Sequence, residues 1–189
     1  MPILPGSRSA PHDEAVVLAL GGNLAGDYPS LEALLEAALS RLARAGMRVV
    51  RRSGWWRSAA WPDPTEPAYL NGVAIVETKL SPSEVLAQLL ALEAAFGRKR
   101  GAANASRTLD IDLIAYGRQA IDAPGLVLPH PRAAERRFVM GPLAEIAPEW
   151  VHPTLGKTAA ELAASGTVGP DAQPVAARSN VETGQSGEA

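Results

Sequence analysis

Apolar and acidic residues alternate strictly from Leu109 to Leu113, and this pattern constrains the fold more than any other segment. The period of two is that of a β-strand with one buried face, so Asp110 and Asp112 share the opposite face. Aspartate is depleted in strands, and two like charges on one face repel each other. The pattern therefore predicts either a solvated acidic strand face or a site in which divalent cations neutralise the pair.

Magnesium would suit this pair, since Mg²⁺ is usually held by one or two carboxylates together with substrate phosphates. Basic loops lie on both sides of the predicted strand. Arg98, Arg100 and Arg107 precede it, and Arg136 follows it beyond His130. The planar guanidinium group of arginine can donate two parallel hydrogen bonds to two phosphate oxygens, so this arrangement is typical of a metal-bridged polyphosphate site. Basic loops alone are usually only solvated, and the neighbouring acidic strand is what favours the functional interpretation.

The composition is that of an ordinary globular domain and argues against several classes of function. Of 189 residues, 47% are hydrophobic and 20% charged, and the net charge of −2 gives no sign of a nucleic-acid or membrane-surface partner. The absence of cysteine excludes disulfides, thiolate metal sites and cysteine nucleophiles. No segment resembles a signal peptide or has the roughly 20 apolar residues of a membrane span. We therefore expect a cytoplasmic protein.

The predicted elements follow the order strand, helix, strand, strand, helix, strand, which is the split βαβ of ferredoxin-like α+β folds. In such a fold, an antiparallel sheet carries helices on one face and leaves the other for loops and substrates. The first helix is expected to begin after the N-cap Ser30, and the second within Ser81–Glu84, with either Ser81 or Ser83 as its cap. The strands before the acidic one are expected at 15–20, 47–56 and 69–78, and shorter helical patches at 139–146 and 158–164.

We expect one domain with an extension at each end. Residues 1–14 are predicted to be a flexible extension and residues 15–165 the folded domain. Small and polar residues dominate 166–189, which predicts a disordered tail. Gly21-Gly22, at the end of the first strand, predicts a tight turn that could let the backbone approach a ligand.

Aromatic and amide side chains near the proline-rich loop 60–68 could bind a flat heterocycle. Tyr69 and Asn71 share one face of a predicted strand, and Phe138 follows the second basic loop. The alternative is that Tyr69 and Phe138 are ordinary core aromatics. Glu93 lies at the border of the apolar stripe of the second helix, where it would be solvated or face the loop arginines.

Taken in order, these segments resemble the 6-hydroxymethyl-7,8-dihydropterin pyrophosphokinase family, which acts in folate synthesis. The resemblance covers about residues 15–164, and the order Arg-x-x-Asp-x-Asp followed by Pro-His is specific as a set. The matching segments are Leu20–Leu24, Tyr69–Asn71, Glu93 with Gly97-Arg98, Arg107–Asp112, Pro129–Pro131 through Arg136 and Phe138, and Pro142–Glu149.

The resemblance implies transfer of pyrophosphate from ATP to the hydroxymethyl group of a reduced pterin by a monomer, with release of AMP. It implies two Mg²⁺ ions on Asp110 and Asp112. The implied catalytic residues are Arg98, Arg100, Arg107, Asp110 and Asp112. The implied ATP-binding residues are Glu93, Arg98, Arg100, Arg107, Ile111, His130 and Arg136. The implied pterin-binding residues are Ser58, Ala59, Trp61, Tyr69, Asn71 and Phe138.

One loop departs from the family pattern, because Ala103–Ser106 stands where a tryptophan and a Gly-Pro are usual. In the family this loop is thought to close over the active site, so the departure bears on loop closure and turnover more than on the type of reaction.

Two other classes of protein compete with this interpretation. A nucleotidyltransferase also combines a glycine-rich turn with Asp-x-Asp, but those motifs lie close in sequence, whereas two helices separate Gly22 from Asp110. A ferredoxin-like binding module without activity predicts the loss of a metal ligand or a phosphate-binding arginine, and all of these are present.

Overall fold

The computed structural model describes residues 14–60, 63–97 and 108–176. Within them the chain forms a six-stranded antiparallel sheet, a two-stranded hairpin and four α-helices. The strands are β1 (Val16–Gly22), β2 (Met47–Arg52), β3 (Trp56–Ser58), β4 (Tyr69–Thr78), β5 (Asp110–Tyr116), β6 (Ile121–Ala123), β7 (Leu126–Leu128) and β8 (Gln173–Pro174). The helices are α1 (Leu31–Leu42), α2 (Pro82–Ala95), α3 (Arg137–Ile146) and α4 (Ala159–Ser165), with a 3₁₀ helix at Ala133–Glu135. In this described part of the chain, no helix is long and apolar enough to span a bilayer.

The sheet is ordered β5-β1-β4-β3-β8, and β2 pairs with the second half of β4. The prediction of a single strand over 47–56 was wrong, because the chain is interrupted between β2 and β3. At the interruption, Ser53 Oγ accepts a hydrogen bond from Val73 N (3.0 Å), and Gly54 N donates to Glu145 Oε1 (2.7 Å). Side-chain oxygens thus accept hydrogen bonds from two backbone amides at the interruption between the strands.

One face of the sheet packs against α1 and α2, as the alternation of the acidic strand predicted. Leu109, Ile111 and Leu113 are all buried in this core, together with Leu18 of β1. The predicted N-cap Ser30 is confirmed, and of the two serines that could cap the second helix, Ser81 is the cap. Ser30 Oγ accepts from a backbone amide in the first turn of α1, and Ser81 forms a reciprocal capping box with Glu84 in α2.

The predicted fold class is confirmed, but the second face of the sheet is not left to loops alone. Helices α3 and α4 pack on its far half, over residues such as Val17, Val73 and Ile75. The sequence periodicity of these short helices predicted their existence but not where they pack. Among the described residues, no helix covers the half of this face near Gly21 and Asp110.

The prediction of a disordered tail from residue 166 was wrong for residues 166–176, which we call the C-terminal strap. Val168 forms a bridge with Arg136, and β8 pairs with β3 at the edge of the sheet. Backbone hydrogen bonding, which composition does not report, holds this polar segment on the domain. Residues 177–189 and 1–13 lie outside the described residues.

Replacing Leu89 with alanine tests how α2 is oriented. Leu89 is fully buried, whereas the adjacent Leu90 is 42% exposed. We expect Leu89→Ala to lower the free energy of unfolding by about 2–5 kcal/mol, because it leaves a cavity in the core. Leu90→Ala is the matched control and should change it by less than about 0.5 kcal/mol. Equal losses in urea denaturation would contradict this packing.

Candidate active site

The end of β1 forms the floor of a cavity on the open half of the sheet, and small residues of this strand line it. Gly21 pairs with Asn71 of β4 on one side and with Asp110 of β5 on the other, and Ala19 pairs with Asp112. A Cβ atom at Gly21 would lie 2.7 Å from Asn71 Oδ1, so the position accepts only glycine without a rearrangement. Both Gly21 and Gly22 still belong to β1, so the predicted tight turn does not lie at these glycines but follows at 25–28, where Tyr28 N donates to Ala25 O (3.0 Å). Gly21 itself clears space between Asn71 and Asp110.

The acidic side of the cavity is β5, as predicted. Asp110 and Asp112 both line a cavity of about 700 Å³. Arg136, at the N-terminus of α3, reaches this side with its Nη1 atom 3.5 Å from Asp112 Oδ2. The acidic pair and one predicted phosphate-binding arginine thus meet in one place.

His130 lies beside the acidic pair as a neutral ring. Burial lowers the pKa of His130; Asp112 opposes this shift, while Arg136 and Arg132 add to it. Its Nδ1 atom accepts a hydrogen bond from Arg132 N (3.3 Å), which places the proton on Nε2. The Nε2 atom is 3.8 Å from Asp112 Oδ2, too long for a hydrogen bond. His130 therefore presents an N–H donor, not a positive charge, towards Asp112.

The opposite side of the cavity is formed by β3, β4 and α3, and it brings together those residues of the predicted pterin site that the structure describes. Asn71 Nδ2 donates to Ser58 Oγ (3.1 Å), and these two side chains are only 8% and 5% exposed. Tyr69, Ala59 and Phe138 line the same cavity. Two half-buried aromatic rings and a buried amide form a slot suited to a flat polar heterocycle.

Arg136 connects the two sides of the cavity. Its guanidinium carbon lies 5.6 Å from the centre of the Phe138 ring, within range of a cation–π contact, while the same side chain approaches Asp112. Arg136 therefore interacts with both the acidic strand, through Asp112, and the aromatic side of the cavity, through Phe138.

Glu93 and Ile111 occupy a different position from the other predicted site residues. Glu93 is 3% exposed, and its Oε1 atom accepts a hydrogen bond from Ile111 N (2.7 Å). Neither side chain lines the cavity. Glu93 is thus not a solvated border residue, because it supports the backbone of β5 between the two aspartates. Their roles in ATP binding stay predictions.

Four predicted site residues, Trp61, Arg98, Arg100 and Arg107, lie outside the described residues, as does the departing loop at 103–106.

Sequence reasoning missed part of the cavity wall. Residues 167–171 of the C-terminal strap line the cavity, as does Glu135. Arg132 lines it as well, and the sequence places this residue in the second basic group with Arg136 and Arg137. The strap carries no apolar period, and Gly169-Pro170 was its one sign of a defined turn.

The donor set suits magnesium better than a metal that needs a complete protein cage. Among residues 14–60, 63–97 and 108–176, no group of three or more histidine, aspartate or glutamate side chains could hold a metal ion. Two carboxylates beside an open cavity match the way Mg²⁺ is held, with phosphates and waters as the remaining ligands. An acidic pair, an arginine and an aromatic slot in one cavity are features of an enzyme that transfers a phosphate-containing group to a flat acceptor.

Comparison with known proteins gives the family. Residues 17–148 match the family described as 7,8-dihydro-6-hydroxymethylpterin-pyrophosphokinase. A 2-amino-4-hydroxy-6-hydroxymethyldihydropteridine pyrophosphokinase of Synechocystis is 46% identical over 147 residues, covering 77% of this chain and 73% of that protein. The enzyme of the same name from Methylorubrum extorquens is 42% identical over 135 residues, covering 71% and 83%. The chain belongs to this pyrophosphokinase family, whose reaction is a step of folate biosynthesis.

Solved structures agree on the fold. A Plasmodium falciparum HPPK-DHPS crystal structure aligns with a TM-score of 0.64 over 79% of this chain, at 14% sequence identity. This chain covers 42% of that longer protein, so the likeness concerns the fold of one part of it.

The protonation of His130 can be measured in the protein without nucleotide or metal. We expect its pKa to lie below the ordinary 6.5, so that the ring charges only as the pH falls through a more acidic range. Asp112→Asn should lower this pKa further, because it removes the carboxylate that favours the charged form. Titration of the ring Cε1–H signal by NMR measures both values. A higher pKa in the Asp112→Asn variant would contradict the assigned environment.

Proposed function

We propose that this chain transfers the terminal pyrophosphate of ATP to the hydroxymethyl group of 6-hydroxymethyl-7,8-dihydropterin, with two Mg²⁺ ions held by Asp110 and Asp112. The observation that carries the proposal is the register across β5, β1 and β4. It sets the acidic pair and the aromatic slot on either side of Gly21, within one cavity. The family resemblance is the support for a monomeric, cytoplasmic enzyme.

The proposed reaction needs no protein nucleophile. The pterin hydroxyl oxygen forms a bond to the β-phosphorus of ATP, and the bond from that phosphorus to the bridging oxygen of the α-phosphate breaks. The bridging oxygen leaves with AMP, and the hydroxyl proton passes to solvent. Phosphoryl transfer of this kind depends mainly on positioning the two substrates and stabilising the developing charge.

The acidic side of the cavity would position the phosphates. Bound Mg²⁺ would neutralise phosphate charge and favour ionisation of the attacking hydroxyl. Arg136 is held beside Asp112 with a fork able to take phosphate oxygens, and His130 adds a neutral N–H donor there. The predicted roles of Arg98, Arg100 and Arg107 in binding and neutralising the phosphates belong to the same proposal.

The other side of the cavity would position the pterin. Tyr69 and Phe138 would supply apolar ring faces for stacking. Asn71 donates a hydrogen bond to Ser58, and its Oδ1 atom packs against Gly21, in the space that a larger side chain there would fill. An amide held in this way reads one hydrogen-bonding edge of the ring, because turning it would cost both contacts. Ser58, Ala59 and Trp61 complete the proposed pterin site.

Product identity tests the proposed reaction. The purified protein, Mg-ATP and the reduced pterin should yield AMP and pterin diphosphate in equal amounts. Asp110→Asn should lower kcat by about 10²-fold or more, because it removes charge that holds the reacting groups. The matched control is Asp122→Asn, which changes an exposed aspartate in β6, away from the cavity.

Other products would assign the protein to another class. Release of ADP would indicate transfer of a single phosphoryl group, and release of free pyrophosphate would indicate a nucleotidyltransferase. Pterin binding without turnover would support the inactive binding module.

Asn71→Ala tests the pterin side separately. We expect the KM for the pterin to rise about tenfold, because a buried hydrogen-bonding group is lost, while the KM for ATP changes little. Thr78→Ala is the matched control, since it removes a side-chain hydrogen bond to Gly46 O (2.8 Å) at the other end of β4. If both variants alter the pterin KM equally, Asn71 does not contact the pterin.

A further inference from the structure

The C-terminal strap lines the cavity with residues 167–171 and lies beyond the residues 17–148 that match the family. It leaves the end of α4, passes the start of α3 and reaches the outer edge of β3, where β8 adds a short strand. It therefore connects the two sides of the proposed pterin slot, the Phe138 side and the Ser58–Ala60 side.

At the first of these sides, the strap packs directly against the Phe138 ring. Gly169 has a φ of +66°, and a Cβ atom there would lie 2.6 Å from Phe138 Cδ1. The closest approach of the strap backbone to the ring is thus possible only because the residue is glycine. Ala172 N donates to Gly169 O (3.0 Å), which fixes this turn.

At the second side, the strap holds the end of β3. Asp171 Oδ2 accepts a hydrogen bond from Ala59 N (2.5 Å), immediately after Ser58, which supports Asn71. The strap continues along the edge of the sheet, where Val175 N donates to Trp55 O (2.8 Å). The strap therefore holds β3 by backbone contacts at its start, near Trp55, and by the side chain of Asp171 just after its end, at Ala59.

Immediately before Gly169, the strap also contacts the backbone on both sides of Arg136. Arg137 N donates to Val168 O (2.9 Å), and Val168 N donates to Glu135 O (2.9 Å). The backbone on either side of Arg136 is thus fixed by one strap residue, which also sets where the Arg136 side chain leaves towards Asp112 and Phe138.

We propose that the C-terminal strap sets the width of the pterin slot, and that Gly169 and Asp171 are positioning residues for the pterin. The proposal rests on the proposed function, since it deepens the role of that same cavity. Neither residue needs to touch the pterin, because Gly169 acts through the Phe138 ring and Asp171 through the Ala59 backbone. Both contacts act on the residues of the pterin slot, so their loss is expected to weaken pterin binding more than ATP binding, which they reach only through the contact of Arg136 with Phe138.

Two glycines provide a matched test. Gly156 has a φ of +67°, and a Cβ atom there would meet nothing within 4 Å, whereas Gly169 has nearly the same φ and meets Phe138. Alanine at either position strains the backbone equally. We expect Gly169→Ala to raise the KM and the Kd for the pterin about tenfold relative to Gly156→Ala, with kcat and the KM for ATP within about twofold. Equal effects of the two substitutions on pterin affinity would overturn the proposal.

Asp171 provides a second test that does not crowd the fold. We expect Asp171→Ala to weaken pterin binding about fivefold, and Asp171→Asn to restore it, because the asparagine oxygen can still accept from Ala59 N. Glu84→Ala is the control, since it removes a carboxylate that accepts from a backbone amide, Ser81 N (2.7 Å), far from the cavity. Wild-type pterin affinity in Asp171→Ala would overturn the role of this residue.

The binding measurement separates this proposal from the proposed function. The Kd for 6-hydroxymethyl-7,8-dihydropterin is measured by fluorescence with saturating Mg²⁺ and α,β-methylene ATP, in which the scissile bridge is blocked. If the unmodified protein does not bind the pterin, the proposed function fails, and this proposal fails with it. If it binds, and Gly169→Ala binds as Gly156→Ala does, the strap proposal fails alone.

Discussion

The pairing of β1 between β4 and β5 is the constraint on which the site depends. This register sets Gly21 between Asn71 and Asp110, and Ala19 next to Asp112. Because β1 carries almost no side-chain volume there, the polar side chains of Asn71 and Asp110 lie on either side of a depression in an otherwise packed sheet. A shift of one residue would send the aspartates into the core beneath α1 and α2, at a large cost in buried charge. The hydrophobic core therefore fixes the position of the acidic pair.

Charge balance is the second constraint on the site. Two carboxylates on one strand face are unfavourable alone, and Arg136 and the bound cations we propose would offset their repulsion. His130 stays neutral there because burial and the neighbouring arginines outweigh Asp112. The cavity is thus arranged to accept additional positive charge with its substrate, while the aromatic slot a few residues away is arranged to accept an uncharged ring.

Much of this could be predicted from the sequence, since alternation, capping and turn residues act locally. The period of two at 109–113 predicted the buried and acidic faces of β5, and Ser30 and the serines at 81 and 83 predicted two helix starts. The interruption between β2 and β3 could not be predicted, because it depends on Glu145, about ninety residues away. The strap could not be predicted either, because its backbone hydrogen bonds and the contact of Gly169 with Phe138 leave no periodic trace. The periodicity of short helices such as α3 predicted that they form, but not which face of the sheet they pack on.

The most direct test of the proposed site is a count of the divalent cations that the acidic pair holds. Mn²⁺ can replace Mg²⁺ at oxygen-ligand sites, and its free concentration is measurable by electron paramagnetic resonance. With α,β-methylene ATP and the pterin bound, we expect two Mn²⁺ ions per chain in the unmodified protein, and fewer when Asp110 and Asp112 are both replaced by asparagine. The same number of bound ions in both proteins would contradict the claim that these carboxylates join the nucleotide to the pterin.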